Sequence, residues 1–231
     1  MHIKEIIKKY TLQDYSEPPE EMLTWLKGSF SELFDGIGYD RADIPEFDCI
    51  IEFMARYKIA TFNHESVSIA YKGTPFGELF DHTINGKQFR LPKGLLLYGS
   101  YGTGKTLAAR VIADKFQLPF MDTYRISLEY LTKNGNDWLA DWLFSHSKTV
   151  VIVDDIGSEG DVRKFGNESP LGAILSTRAR FWEMYGTPTI YTTNFATPKA
   201  LAENYGNNER LLDRLVSYHV GVEFAGASRR K

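Results

Sequence analysis

The pattern of apolar residues changes along the chain and divides it into two regions. In the first part they recur at the i, i+3, i+4 and i+7 spacing of an amphipathic helix. The three helical stripes are Ile3, Ile6, Ile7 and Tyr10, then Leu23, Leu26, Phe30 and Leu33, then Phe47, Ile50, Ile51 and Met54. They predict a small helical N-terminal region, residues 1–75, whose stripes pack on one another or dock a partner protein.

Residues 76–231 instead alternate short apolar runs with helical stretches, which is typical of an α/β domain with a parallel sheet between helices. The predicted strands are Gly94–Tyr98, Pro119–Asp122, Thr149–Val153, Thr187–Thr192 and His219–Phe224. The predicted helices are Lys105–Phe116, Ser127–Lys133, Asp137–Ser145, Pro170–Tyr185 and Glu209–Ser217. The segment Gly157–Ser169, which carries Arg163 and Lys164, shows no periodicity and is predicted to be a loop.

The glycine-rich motif between the first predicted strand and helix matches G-x-x-x-x-G-K-[ST]. Its residues are Gly99, Ser100, Tyr101, Gly102, Thr103, Gly104, Lys105 and Thr106. In this context, backbone N–H groups and a helix N-terminus bind phosphate, so the motif predicts an ATP site. Lys105 is placed to reach the β- and γ-phosphates, and Thr106 to hold Mg²⁺. A glycine-rich turn without a ligand is the alternative, which the flanking strand and helix disfavour.

Two further strands end in polar side chains. Asp154 and Asp155 follow the apolar run Thr149–Val153, which predicts a Mg²⁺-site acid and an acid that orients or deprotonates the attacking water. Asn194 follows the next strand and is predicted to contact that water or the γ-phosphate. The alternatives are an acidic turn and a Thr-Asn cap, and the phosphate loop makes the acidic turn the weaker interpretation.

Basic residues near the C-terminus allow two interpretations each. Arg210 and Arg214 lie four residues apart on one predicted helical face. They form either a solvated basic face or an arginine finger aimed at a neighbouring subunit's ATP. The final Arg229-Arg230-Lys231 is either a frayed tail or part of the site.

Composition narrows the function classes. The net charge of −3 gives no overall basic field, so any contact with DNA must come from a local patch. The single cysteine, Cys49, excludes an internal disulfide and a multi-cysteine zinc site. The N-terminus lacks the apolar core of a signal peptide, and no apolar stretch approaches membrane-spanning length, so we expect a cytoplasmic protein without membrane contact.

The order of these motifs resembles the DnaC/DnaI/IstB group of AAA+ ATPases, which are bacterial replicative helicase loaders and their transposition-helper relatives. The resemblance covers residues 76–231 and rests on GLLLYGSYGTGKT, TVVIVDDIGSEG, PTIYTTN, ERLLDRLV and the terminal F-x-G-x-S-x-R. It implies a P-loop NTPase fold of the AAA+ type without the helical lid that most AAA+ modules carry. It also implies Mg²⁺-dependent ATP hydrolysis that stays slow until subunits assemble.

The resemblance also implies roles for individual residues. These are Lys105 and Thr106 as Walker A ligands, Asp154 as the Mg²⁺-site acid, Asp155 as the catalytic acid and Asn194 as sensor 1. Arg214 matches the arginine finger and Arg210 a second basic position. Arg230 matches the sensor 2 arginine that binds ATP, with Arg229 as the alternative.

Three function classes follow. The first is a helicase loader whose ATP state holds a replicative helicase and single-stranded DNA. Candidate DNA contacts are Tyr124, Arg125, Tyr130 and Lys133. The second is an IstB-like transposition or phage helper ATPase that recruits another DNA-processing protein. The third, a small-molecule kinase, is disfavoured by the paired acids and the TTN strand. An AAA+ scaffold with almost no turnover remains a further alternative.

Overall fold

A computed structural model describes residues 20–37, 44–51, 54, 70, 71, 79–84, 87–159, 169–185, 187–205 and 209–229. The chain forms two compact units, Met1–Lys93 and Gly94–Lys231, and each is described by itself. The predicted stripe that begins at Ile3 lies outside the described residues, as do Arg163, Lys164 and Arg230.

The first unit contains helix α1, Glu20–Gly36, and a helical segment at residues 47–51. Phe30 and Phe34 of α1 pack edge-on against Phe47, with ring centroids 5.0 and 4.9 Å apart. All three rings are fully buried, so the second and third predicted stripes pack on each other. One residue of the prediction is wrong: Leu33 is 38% exposed, and Phe34, one position on, takes its place in the core.

The same unit contains a three-stranded antiparallel sheet that the hydrophobic pattern did not predict. Its strands are β1 (Ala70–Tyr71), β2 (Leu79–Ile84) and β3 (Lys87–Pro92), in the order β1-β2-β3. Ile84 pairs with Lys87, and the dipeptide between them in the sequence is Asn85-Gly86. Asn-Gly is a strong hairpin signal, so the sequence did carry a sign of this pairing.

The second unit is a five-stranded parallel sheet with the strand order β5-β6-β7-β4-β8. The strands are β4 (Gly94–Tyr98), β5 (Phe120–Asp122), β6 (Val151–Asp154), β7 (Thr189–Thr192) and β8 (His219–Glu223). The helices are α2 (Lys105–Phe116), α3 (Thr123–Thr132), α4 (Gly135–Ser145), α5 (Pro170–Tyr185), α6 (Pro198–Asn204) and α7 (Glu209–Tyr218). All five predicted strands and all five predicted helices are confirmed. Helix α3 begins four residues earlier than predicted.

Helix α6 is the element of this unit that the sequence analysis missed. It has seven residues, too few for a hydrophobic period to be recognised. Thr197 caps it by accepting a hydrogen bond from the N–H of Ala200 at 3.0 Å, and Pro198 occupies the first turn. Thr-Pro is a helix-start signal, so capping chemistry was the available evidence.

The strand order determines where the polar strand ends meet. Every residue of β6 and β7 is buried, as expected for strands covered on both faces. Strand β7 lies between β6 and β4, and the connections that leave the neighbouring strands β4 and β7 run in opposite directions across the sheet, to β5 and to β8. Ligands of open α/β sheets bind at the carboxyl ends of the strands beside such a reversal. The loop after β4 and the polar ends of β6 and β7 therefore share one edge.

A buried arginine connects the segments at the amino ends of strands β6 and β7, opposite the polar strand ends. Arg178 of α5 is 2% exposed, and its guanidinium donates four hydrogen bonds. The acceptors are Thr189 Oγ1 at 2.8 Å and the carbonyl oxygens of His146 at 2.8 Å, Thr149 at 3.1 Å and Pro188 at 3.0 Å. One side chain thus connects the end of α4 to the segments that enter β6 and β7, and it satisfies a charge that would be costly to bury alone.

Candidate nucleotide-binding site

The phosphate loop leaves the N-terminus of α2 open. Gly104 is the N-cap residue and has a left-handed backbone, with φ of 100°, which glycine adopts without strain. No side chain among the described residues caps the helix there. The first N–H groups of α2 therefore remain available, and a helix N-terminus with available N–H groups binds anions.

Lys105 lies inside this loop. Its side chain is buried, and Nζ donates to the carbonyl oxygens of Gly99 at 2.9 Å and Ser100 at 2.7 Å. Thr103 Oγ1 donates to the same Ser100 carbonyl at 2.9 Å. The ammonium group is therefore held by neutral acceptors in the loop, and a phosphate could replace them with a charged partner.

Thr106 and Asp154 are brought together as the sequence analysis expected. Thr106 Oγ1 donates to Asp154 Oδ1 at 3.1 Å, and Thr192 Oγ1 donates to the same oxygen at 2.6 Å. Burial raises the pKa of the Asp154 carboxyl above its ordinary value, although these two hydrogen bonds act in the opposite direction. A hydroxyl and a carboxylate are hard oxygen donors, so the pair fits the protein's share of a Mg²⁺ site.

Asp155 is held in an unusual conformation beside this pair. Its backbone is left-handed, with φ of 62°, a region that Asp tolerates better than most residues. Its N–H donates to Thr192 Oγ1 at 2.8 Å, which fixes the turn at the end of β6. Its carboxylate accepts hydrogen bonds from Asn194 Nδ2 and, at 2.8 Å, from Ser158 Oγ. The two predicted site residues Asp155 and Asn194 are thus in direct contact.

A further hydroxyl extends this network to α3. Thr123, the first residue of α3, is buried and donates through Oγ1 to the Asp155 carbonyl oxygen at 3.1 Å. The same hydroxyl lies 3.1 Å from Ser158 Oγ. The start of α3 and the carboxylate of Asp155 therefore belong to one hydrogen-bonded group.

Sequence reasoning missed Thr192, Ser158 and Thr123. Thr192 and Ser158 lie inside the motifs PTIYTTN and TVVIVDDIGSEG, and Thr123 directly follows a strand, but no role was predicted for any of the three. Thr192 matters most geometrically, because its single oxygen bonds both Asp154 and Asp155.

The predicted arginine finger is not part of this group. Arg214 is half-buried, and its Nη1 donates to Ser176 Oγ of α5 at 3.0 Å. Arg210, one turn earlier on α7, is exposed. Within the described residues, neither arginine bonds the phosphate loop or the two acids. Arg229, the alternative to Arg230, does reach the loop, where it bonds backbone carbonyl oxygens.

The DNA-contact candidates separate by exposure. Tyr124 is 76% exposed at the start of α3. Arg125 and Lys133 are also exposed, and both pair with Glu129, at 3.0 and 2.5 Å. Tyr130 was the wrong candidate, because it is buried and its hydroxyl donates to Asn136 Oδ1 at 2.8 Å.

Comparison with known proteins places this site in a family. The model of the ATPase family associated with various cellular activities (AAA) matches residues 95–212, slightly more than half of the chain. A curated relative, the ATP-dependent zinc metalloprotease YME1 homolog of Caenorhabditis elegans, is 36% identical over 115 residues. That match covers 46% of this chain and only 16% of the relative.

Two solved structures are also similar. The DnaC helicase loader is 21% identical, with 74% of this chain and 89% of that chain covered and a TM-score of 0.41. AMPPCP-bound DnaA from Aquifex aeolicus is 18% identical, with 59% and 42% covered and a TM-score of 0.41. Among the described residues, no helix is long and apolar enough to cross a membrane.

Proposed function

Because the chain belongs to the AAA family of ATPases, we propose that it is a nucleotide-switched helicase loader that binds a replicative helicase and single-stranded DNA. The helper alternative, in which an IstB-like ATPase recruits another DNA-processing protein, shares the same ATPase chemistry. The loader assignment rests on the motif set DDIG, TTN, D-R-L and G-x-S-x-R. We propose that residues 1–75 include the partner-docking region and that the ATPase domain, predicted from the sequence at 76–231, is the unit Gly94–Lys231, because strands β2 and β3 belong to the first unit.

In this proposal, the loop Gly99–Gly104 and Lys105 bind the phosphates, and Thr106 and Asp154 hold Mg²⁺. Mg²⁺ would neutralise charge on the β- and γ-phosphates. The Asp155 carboxylate orients the attacking water and accepts its proton, and Asn194 fixes that carboxylate by hydrogen bonding.

The subunit needs a second copy to complete the site. Arg214 bonds Ser176 within its own chain, so we propose that α7 presents it to the ATP of a neighbouring subunit. A guanidinium there stabilises the charge that develops on the transferring phosphoryl group. Such a contact joins two different surfaces, which builds rings or open spirals rather than two-fold dimers.

One observation carries the DNA-switched part of the proposal: Thr123 bonds the Asp155 carbonyl oxygen, and its neighbour Tyr124 is exposed. An exposed aromatic ring on a helix turn that also carries the exposed Arg125 has the chemistry of a stacking contact with single-stranded nucleic acid. DNA on the first turn of α3 would thus act directly on the network that holds Asp155. This arrangement favours an ATPase whose turnover responds to DNA.

The first experiment measures ATPase rate against protein concentration, with and without single-stranded DNA. It compares wild type, Arg214→Ala and Arg180→Ala, the last being an exposed arginine of α5 that serves as the matched control. We expect the rate per subunit to rise with concentration and DNA in wild type and Arg180→Ala. In Arg214→Ala the rise should be lost while ATP still binds. A wild-type rate that does not change with protein concentration or with DNA would refute the proposal that subunits assemble to complete the site.

A second pair of variants separates DNA binding from its effect. Tyr124→Ala should weaken DNA binding, whereas Thr123→Val should bind DNA normally but lose most of the stimulation. Stimulation that survives in Thr123→Val would rule out the proposed route through Asp155.

A further inference from the structure

The chain segment after β8 lies against the phosphate loop. The N–H of Phe224 donates to the carbonyl oxygen of Tyr98 at 2.8 Å, which extends the β4–β8 pairing into this segment. Further along, Ser228 lies so close to Gly102 that a Cβ at Gly102 would be 2.2 Å from the Ser228 hydroxyl oxygen. Gly102 also has a φ of +77°, so both its backbone and its surroundings require glycine.

Arg229 bonds two consecutive carbonyl groups of the loop. Its backbone N–H donates to the carbonyl oxygen of Gly102 at 2.8 Å. Its guanidinium Nη1 donates to the carbonyl oxygen of Thr103 at 2.6 Å. The guanidinium also contacts the carbonyl oxygen of Ala225 at 3.4 Å, within its own segment. Arg229 therefore fixes the orientation of two adjacent peptide groups.

Because each peptide group is planar, these two hydrogen bonds also determine where the N–H groups of the same two peptides point. In a planar trans peptide, the C=O and the N–H point in opposite directions. The carbonyl groups of Gly102 and Thr103 point to Arg229, so the N–H groups of Thr103 and Gly104 point away from it. These two N–H groups belong to the part of a phosphate loop that contacts the α- and β-phosphates.

We infer that Arg229 is a positioning residue that preorganises the amide groups of Thr103 and Gly104 for phosphate. This role differs from that of an arginine that touches the γ-phosphate, because α- and β-phosphates are present in both ATP and ADP. Loss of the Arg229 side chain therefore weakens the binding of ATP and of ADP by the same factor. The inference rests on nucleotide binding at the loop and is independent of the proposed loader function.

The test is a calorimetric titration of the full chain with ADP and with a non-hydrolysable ATP analogue. Arg229→Ala and Arg229→Gln are compared with wild type and with Arg180→Ala as the matched control. We expect both dissociation constants to rise by the same factor, roughly tenfold, which corresponds to about 1.4 kcal/mol of binding free energy. A cooperative thermal unfolding transition without nucleotide should show that both Arg229 variants are folded, and Arg180→Ala should bind like wild type.

Hydrogen exchange gives a readout that does not depend on nucleotide. If the Arg229 side chain orients the loop, the Gly104 amide, whose peptide the guanidinium holds, exchanges faster in the nucleotide-free Arg229 variants than in wild type, whereas the Thr103 amide, held by the backbone of residue 229, changes less. A loss confined to the ATP analogue would overturn the inference and assign Arg229 to the γ-phosphate. Unchanged affinity for both nucleotides would overturn it as well. Wild-type binding in the same titration tests the nucleotide site separately.

Discussion

Thr192 is the residue at which the geometry of the site makes its sharpest prediction. Its buried hydroxyl donates to Asp154 at 2.6 Å and accepts from the N–H of Asp155 at 2.8 Å. Thr192→Val keeps the shape but removes both bonds and leaves the partly buried N–H of Asp155 without its acceptor. We expect the free energy of unfolding, measured by urea denaturation without nucleotide, to fall by about 2–3 kcal/mol.

The same substitution should change the Mg²⁺ requirement. Removing a donor from Asp154 raises the pKa of its carboxyl further and releases its orientation. Groups that orient a metal ligand typically contribute about 10- to 100-fold in metal affinity or activity. We therefore expect the Mg²⁺ concentration that gives half-maximal ATPase activity to rise by about tenfold or more.

Thr193→Val is the matched control for this experiment. Thr193 is equally buried and lies next along the chain, but its hydroxyl donates to the carbonyl oxygen of Ile156 at 2.7 Å instead of to an acid. It should lower stability without changing the Mg²⁺ requirement. Equal shifts in the two variants, or no shift in Thr192→Val, would refute the reasoning.

Two further predictions concern the acid and the buried arginine. Asp155→Asn tolerates the left-handed backbone and should bind ATP normally, but its turnover should drop about 10²- to 10⁴-fold because the proton acceptor is lost. Normal turnover in a single-turnover assay would remove Asp155 from catalysis. Arg178→Met should lower the free energy of unfolding by about 2–4 kcal/mol, because four oxygens, two buried and two partly buried, lose their donor, without changing nucleotide affinity. Unchanged stability in urea denaturation would contradict this.

The parallel sheet could be predicted because most of its strands are short apolar runs, which can be recognised from the local sequence alone. The phosphate loop and the end of β6 could be predicted for a related reason: their chemistry is written in contiguous motifs. Helix α6 and the hairpin β2–β3 were missed because capping and turn residues, rather than hydrophobic periodicity, mark them.

The parts of the site that escaped prediction depend on contacts between distant segments. Ser158 and Thr123 are 35 residues apart in the chain and are ordinary hydroxyl residues in sequence. The sequence predicted a frayed tail or an ATP-binding arginine at Arg229 but not its contact with Thr103, because the two residues are 126 positions apart. Strand order creates these contacts, and local patterns do not encode it.

The hydrogen bonds of the buried Arg178 determine how this end of the sheet responds to pH and salt. A guanidinium keeps its proton at any working pH, and the four hydrogen-bonded oxygens of Thr189, His146, Thr149 and Pro188 do not titrate. Burial also shields the group from salt. This end of the sheet therefore keeps its hydrogen bonds in acid. At the opposite end, acid protonates the Asp154 carboxylate that is proposed to hold Mg²⁺, and because burial raises the pKa of that carboxyl, the metal ligand is lost without a loss of folding stability. Acid inactivation is expected to precede acid unfolding.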